Sequence, residues 1–353
     1  MAIFYIAIVN AVVFINQGFI NVVPVVGEEL SAKYIPCTDK AQTQSAVVTQ
    51  VHGNILHSNR NAVVFIYQGF INVVPVVGEE LSAKYIPCTD KAQTQSAVVT
   101  QVMWCTLGWE PVLVITSSLG LQVFDVGGLE CRFSHPCADP SPPAESFARG
   151  LATICNEFLC VGNASGCVRV FGLVGEDAEL VFVDRKQEHS EAITDLAANK
   201  DLLVSADEGG SVVLWNLTGE ELLKGYSLPE YRTACTGVKL LQEFLLAAYG
   251  SGHLRMFSVD PTKPPALMCE VAAHARWLTA LDVAPDSNLA LTTSEDSFVR
   301  VWEIVRGETT ILKQKFFTQV EDAFLVGGRF LTSTGSAFCV SAYESNLIYC
   351  FKS

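Results

Sequence analysis

The sequence predicts an all-β fold: a seven-bladed β-propeller with four antiparallel strands per blade and an N-terminal strand closing the last blade. Three observations predict it. A hairpin pattern ending in an aromatic recurs at Phe124, Phe171, Trp215, Phe257, Trp302 and Phe351, with spacings of 47, 44, 42, 45 and 49 residues. Apolar residues alternate within these runs and no long helical periodicity competes with them. The last unit ends at Lys352 without an outer strand of its own, while the N-terminal region carries a spare copy of one.

The duplication comes first along the chain. Residues 10–51 reappear at 61–102 with one change in 42 positions, Asn16 to Tyr67. Blades of one propeller normally diverge, so identity this high indicates a recent tandem duplication or a gene-model error. The second copy supplies the hairpin of blade one and an outer strand near "KYIPC" at 84–88. In the first copy, "AVVTQVHGNILH" fits the inner strand of that blade, and the twin "KYIPC" at 33–37 fits the strand that closes the ring. A propeller needs such a strand because an open edge leaves a row of unpaired backbone groups. The expected organisation is therefore a leftover duplicated hairpin at 1–30, poorly packed, and a single seven-bladed propeller at 31–353. Phe14, Ile15 and Phe19 of the leftover hairpin would be exposed, a surface prone to self-association.

The later units repeat in pattern. "EFLCVGNASGCVRVFGL", "DLLVSADEGGSVVLWNL", "EFLLAAYGSGHLRMFSV" and "NLALTTSEDSFVRVWEI" each join an apolar run, a short polar turn and an alternating run. "PVLVITSSLGLQVFDV" precedes them and "AFCVSAYESNLIYCFKS" follows. Upstream strands such as "LTALDVAP" and downstream ones such as "ALMCEVAA" complete four per unit. A period in the forties with this texture is that of a propeller blade. The glycines of "ASG", "EGG" and "GSG" suit tight turns at positive φ and cradle no phosphate.

His274 in "AHARW" with Thr292, Asp296 and Trp302 in "LTTSEDSFVRVWE" resembles the structural tetrad of the WD-repeat family, in which Trp, hydroxyl, His and Asp are hydrogen-bonded in series. His189, Ser205 and Trp215 form a partial tetrad, with Gly209 where the Asp is expected. The remaining units have Phe for Trp and lack the His, so one tetrad is complete and the other blades depend on apolar packing. "TQVMWC", "SFARG", "AHARWLTALD" and "FCVSAYESNLIYCF" extend the resemblance over roughly residues 95 to 351. It implies a cytoplasmic propeller that acts through protein contacts, without catalysis or cofactor.

Composition sets limits on function. A net charge of −14 gives no overall attraction to nucleic acid or anionic lipid. Half the residues are hydrophobic and 17% charged, which fits a chain with a large buried fraction. The twelve cysteines include no C-x-x-C and several sit in apolar runs, so they read as small buried hydrophobes in a reducing compartment. Polar residues from Asn10 to Asn21 interrupt the greasy N-terminus before it reaches membrane-spanning length, and no basic region precedes it. His52 and His57 have no Cys or carboxylate partner nearby, so no metal site is expected.

The expected role is a non-catalytic scaffold that binds a protein or peptide on the rim where the inner strands begin. The candidate residues are Arg149, Glu191, Tyr231, Arg232, Arg276, Trp277 and Glu295, several of them of the types that dominate interface energetics. One alternative is a structural subunit of a ciliary or vesicular assembly. Another is an enzyme in the central channel, which would draw on Asp195, Asp282 and Asp322. The Pro-rich stretch 138–147 reads as a connection between blades.

Overall fold

The computed structural model of the chain describes residues 99–125, 130–137, 148–175, 178–260, 263–343, 349 and 351 in full, and the backbone of 348, 350, 352 and of seven strands between 6 and 87. Six consecutive antiparallel sheets follow from Val99. Blade A holds Val99–Leu107, Glu110–Ser117, Gly120–Asp125 and Cys131–His135. Blade B holds Ala148–Ile154, Phe158–Asn163, Cys167–Val174 and Glu179–Gln187. Blade C holds Ile193–Asn199, Leu202–Asp207, Val212–Thr218 and Glu221–Ser227. Blade D holds Cys235–Leu241, Phe244–Tyr249, His253–Asp260 and Lys263–Ala272. Blade E holds Leu278–Ala284, Leu289–Ser294, Phe298–Val305 and Ile311–Gln319. Blade F has three described strands, Leu325–Phe330, Ala337–Ala342 and Ile348–Lys352. Within A to E the chain runs from inner to outer strand in order, and neighbouring inner strands lie side by side.

This arrangement explains the strand patterns. The second strands, such as Phe158–Asn163, Phe244–Tyr249 and Leu289–Ser294, are buried along their whole length. They have a neighbouring blade on each face, and near-continuous apolar runs suit that position. Outer strands alternate and are largely exposed, as in Glu179–Gln187. The apolar clusters lie between blades. One joins Val204, Ala206 and Leu214 of C to Val238, Leu245 and Phe257 of D; another joins Leu289, Leu291 and Val301 of E to Leu325, Phe338 and Val340 of F. The expected terminal aromatics Phe171, Trp215, Phe257 and Trp302 are all buried in such clusters.

The upstream strands form two more sheets. Ala62–Tyr67, Phe70–Pro75 and Lys84–Pro87 pair antiparallel, and the first of them lies beside Val99–Leu107. The inner strand expected for this unit, within 46–57, lies outside the described residues, as do 138–147. Ile6–Ile8, Ala11–Asn16, Phe19–Pro24 and Lys33–Pro36 form a four-stranded sheet. The strand expected to close the last blade is therefore paired elsewhere: Lys33–Pro36 bonds to Phe19–Pro24, in the register that Lys84–Pro87 takes on Phe70–Pro75. Identical sequence gives identical local pairing, and the near partner needs only a short loop. This sheet spans residue 30, where the sequence suggested a boundary. Ile6–Ile8 lies alongside Ile348–Lys352, so the two ends of the chain meet.

Two ion pairs tie inner strands of neighbouring blades. Asp195 of C accepts from Lys239 Nζ at 2.8 Å and from the Val238 amide of D at 3.1 Å. Asp282 of E pairs with Arg329 of F and accepts from the Phe330 amide at 2.8 Å. Gln101 of A serves the same purpose by accepting from the Gly150 amide of B at 2.9 Å. Gly150 has φ +87°, and a Cβ there would press on Leu196 and Ile193 at 3.1 and 3.2 Å.

Breaking the E–F pair tests this account. Asp282→Ala leaves Arg329 buried without its carboxylate and is expected to cost about 3–5 kcal/mol. Urea denaturation measures the loss, and a midpoint equal to that of the parent would show that the pair carries no stability.

Candidate functional site

The tetrad of blade E forms as a continuous chain. Trp302 Nε1 donates to Thr292 Oγ1 at 2.9 Å, and Thr292 Oγ1 stands 2.9 Å from His274 Nε2. His274 Nδ1 lies 3.0 Å from Asp296 Oδ1. With the Trp donating, the hydroxyl donates to Nε2, and the proton on Nδ1 is directed to the carboxylate. Asp296 also accepts from the Ala275 and Phe298 amides, each at 3.0 Å, which closes the turn onto the loop before the inner strand. Burial pushes the Asp296 carboxyl up, but the Ala275 amide, His274 and the Phe298 amide together hold it below its usual value. Burial also lowers the His274 pKa to about 4, against the attraction of Asp296 and with the help of Arg300, so the ring is neutral near pH 7.

Blade C carries a second complete chain, which corrects the reading of His189, Ser205 and Trp215 as a partial set. Trp215 Nε1 donates to Ser205 Oγ at 2.8 Å, Ser205 Oγ lies 2.7 Å from His189 Nε2, and His189 Nδ1 lies 2.8 Å from Asp207 Oδ2. The carboxylate comes from the end of the second strand instead of the turn at Gly209. Asp207 is two residues beyond Ser205, and strand period 2 puts both on one face. That spacing was the signal available in the sequence. Burial pushes the Asp207 carboxyl up, and bonds from His189 and from the Ser211 and Gly209 amides outweigh it and lower its pKa.

Blade D fills the same positions differently. Tyr231 occupies the His position, four residues before the inner strand, and its ring centroid lies 4.4 Å from that of Tyr249. The buried Arg255 guanidinium sits over Tyr231 at 4.6 Å and over Phe257 at 5.1 Å. A stacked cation replaces the hydrogen-bond chain and fixes Tyr231 at the rim. The sequence leads one to expect apolar packing in this blade, whereas the structure adds the buried Arg255.

The loops before the inner strands and the turns between second and third strands share one face. Gly210 has φ +93°, and a Cβ there would fall 2.1 Å from the Tyr231 carbonyl; Gly252 at φ +82° meets the His274 carbonyl in the same way, at 2.2 Å. Each turn therefore presses on the loop entering the next blade. On this face Arg149, Glu191, Arg232, Arg276, Trp277 and Glu295 are exposed and Tyr231 is half-buried. Trp277 stays 43% exposed while its ring rests on Gly250 of blade D, where an added Cβ would come within 2.6 Å of it. The Glu295 amide donates to the Trp277 carbonyl at 3.1 Å. Arg276, Trp277 and Glu295 thus form one patch beside Arg232 and Tyr231, whereas Glu191 lies over Gly209 of blade C. Arg149 lines the central cavity.

The carboxylates that a channel enzyme would need are otherwise engaged. Asp195 and Asp282 are bound in the interblade pairs, and Asp322 is exposed on the loop before blade F. Among the described residues no group of three His, Cys, Asp or Glu could hold a metal ion, and no helix is long and apolar enough to cross a membrane. Cys105, Cys155, Cys160, Cys167, Cys235 and Cys269 carry free thiols, and burial pushes those of Cys105 and Cys160 up to about 12.

The radial sheets and their His–hydroxyl–Trp chains define a WD-repeat β-propeller. More narrowly, the chain belongs to the WDR54 family, whose profile matches residues 62–353. Human WD repeat-containing protein 54 is 31% identical over 297 residues, 79% of this chain and 84% of that protein. The mouse protein is 30% identical over 279 residues, 76% of this chain and 82% of that one. Among solved structures, Chaetomium thermophilum Sqt1 bound to the N-terminus of ribosomal protein L10 superposes with a TM-score of 0.69 at 12% identity, covering 98% of this chain and 94% of that one. At that identity the likeness concerns the fold alone.

Two outcomes are expected of the tetrads. Trp215→Ala and Trp302→Ala should each cost about 3–5 kcal/mol, as for other large buried aromatics; a thermal melt equal to that of the parent would mean that the Trp is not a core residue. Stability should also fall with acid. The unfolded chain takes up a proton on His274 near its ordinary value of 6.5, and the folded chain resists until about 4. The unfolded state therefore binds more protons between those values, and stability declines as pH drops through that window. Asp207 and Asp296, with lowered pKa values, add a further loss below their ordinary 3.8. Urea midpoints between pH 7 and 4 measure the first step, which His274→Gln should flatten.

Proposed function

We propose that this protein is a non-catalytic scaffold that docks a protein or peptide partner on the face carrying Tyr231, Arg232, Arg276, Trp277 and Glu295. The observation that carries the reading is Trp277. A large aromatic is held rigid against a glycine on a turn yet stays 43% exposed, with a guanidinium on the adjacent residue. Rigid aromatic and Arg side chains bind with little loss of side-chain entropy and are the common anchors of interfaces. The Sqt1 propeller, which takes the N-terminus of a ribosomal protein, supports the use of this fold for peptide docking. The free thiols of Cys155, Cys160 and Cys235 support a reducing compartment such as the cytoplasm.

A second reading, a structural subunit of a larger assembly, is favoured by the outer strand of blade E, where Phe316 and Phe317 are 41% and 56% exposed. The two readings use different surfaces. In affinity purification of the full-length chain from native tissue, Arg276→Ala/Trp277→Ala should reduce partner recovery at least about tenfold, as for a hot-spot anchor, and Lys313→Ala on the outer strand should leave it unchanged. Partners retained by the rim variant but lost on Phe316→Ser/Phe317→Ser would replace the rim reading with the structural one.

A further inference from the structure

Each inner strand from blade A to blade F starts with a bulge. Register slips between Val99 and Gln101, Ala148 and Leu151, Ile193 and Asp195, Cys235 and Gly237, Leu278 and Ala280, and Leu325 and Gly327. A bulge takes a residue off the ladder and re-aims its side chain. The side-chain-bearing bulge residues are Thr100, Arg149, Thr194, Thr236, Thr279 and Val326, and all six line one cavity of about 100 Å³ between the inner strands. Six equivalent backbone positions thus present four hydroxyls, one apolar side chain and a single cation.

Among the described residues nothing neutralises this cation. The other charged groups of the cavity wall are matched, Lys239 by Asp195 and Arg329 by Asp282. Arg149 is exposed, and among the described residues no carboxylate stands within ion-pair distance of it. Thr100 donates to the Ala148 carbonyl and Thr194 to the Cys235 carbonyl, ties that join each blade to the next. The Oγ1 of Thr236 is buried in the same wall without any hydrogen-bond partner. A buried hydroxyl with no partner costs free energy, and an acceptor entering the cavity would relieve it. The described wall of the cavity therefore carries one net positive charge and a spare donor in a chain of net charge −14.

We infer that this channel mouth binds a carboxylate, the side chain of a Glu or Asp in an extended peptide, on the guanidinium of Arg149. The inference rests on the reading of this face as the docking face and names the chemistry that enters its centre. A singly charged carboxylate matches the one free cation among the described residues of the wall. A doubly charged phosphate would leave excess negative charge beside Asp195 and Asp282. The cavity, of about 100 Å³, admits the end of one side chain.

Ligand-observed NMR on the full-length chain tests this with two blocked peptides, Gly-Ser-Gly-Glu-Gly-Ser-Gly and its Gln counterpart. The Glu peptide should bind at least about tenfold more tightly, the scale of one charge-assisted bond. Arg149→Gln should remove that preference, Arg149→Lys should retain part of it, and Arg306→Gln, which alters an exposed pair with Glu243, should leave it intact. Thermal melts of the variants should match the parent because both arginines are exposed. Equal binding of the two peptides, no binding of either at millimolar concentration, or a preference that survives Arg149→Gln would overturn the inference. Displacement of the Glu peptide by inorganic phosphate at lower concentration than by acetate would overturn the carboxylate assignment. Loss of partner recovery on Arg276→Ala/Trp277→Ala with no Glu preference sinks the channel site and leaves the rim reading standing. The converse pattern does the opposite.

Discussion

The structure depends on one constraint: no blade can bury both its faces alone. A four-stranded sheet presents two apolar surfaces along its second and third strands, and each is covered only by the next sheet in the series. The clusters that join C to D and E to F show this directly, since residues of two blades contribute to each. Stability in such an array comes from nearest-neighbour interfaces. Polar devices follow from the same constraint. Where inner strands converge, Gln101, Asp195 and Asp282 each reach across to an amide of the next blade.

Within this frame the tetrads and their substitutes anchor the loops. The His of each chain stands on the segment entering a blade, and its partners stand on the second and third strands of that blade. The His274 chain and the His189 chain reach this result with carboxylates from different places, a turn in one and a strand end in the other. Blade D reaches it with Arg255 stacked against Tyr231. In all three cases the entering loop is held rigid, and the loop is where Arg232, Arg276 and Trp277 are displayed. Rigidity of the scaffold and exposure of the anchors are therefore two consequences of one arrangement.

The bulge at the head of each inner strand from blade A to blade F has a comparable double effect. It sharpens the bend that lets the strand leave the rim for the channel, and it turns one side chain per blade toward the axis. At that place Thr100 and Thr194 tie their blades to the next. Arginine in blade B does not, and its charge is left to the solvent or to a ligand.

The sequence by itself determined the elements and their order. Period-2 alternation, aromatic spacing and turn glycines follow from local backbone geometry, and the His274, Thr292, Asp296 and Trp302 set was legible because its members lie within one repeat at short range. What crosses from one blade to another was not legible. Lys239 lies 44 residues from Asp195 and Arg329 lies 47 from Asp282, and nothing in the local pattern of either strand marks its partner. Asp207 was visible but passed over for the turn position, because the choice between strand end and turn depends on how the His loop folds back. The placing of Lys33–Pro36 was likewise a tertiary decision: two sheets could use that strand, and the nearby pairing with Phe19–Pro24 requires far less chain to be ordered. Local periodicity fixes which residues face inward, whereas only the closed packing of neighbouring sheets decides which of them meet.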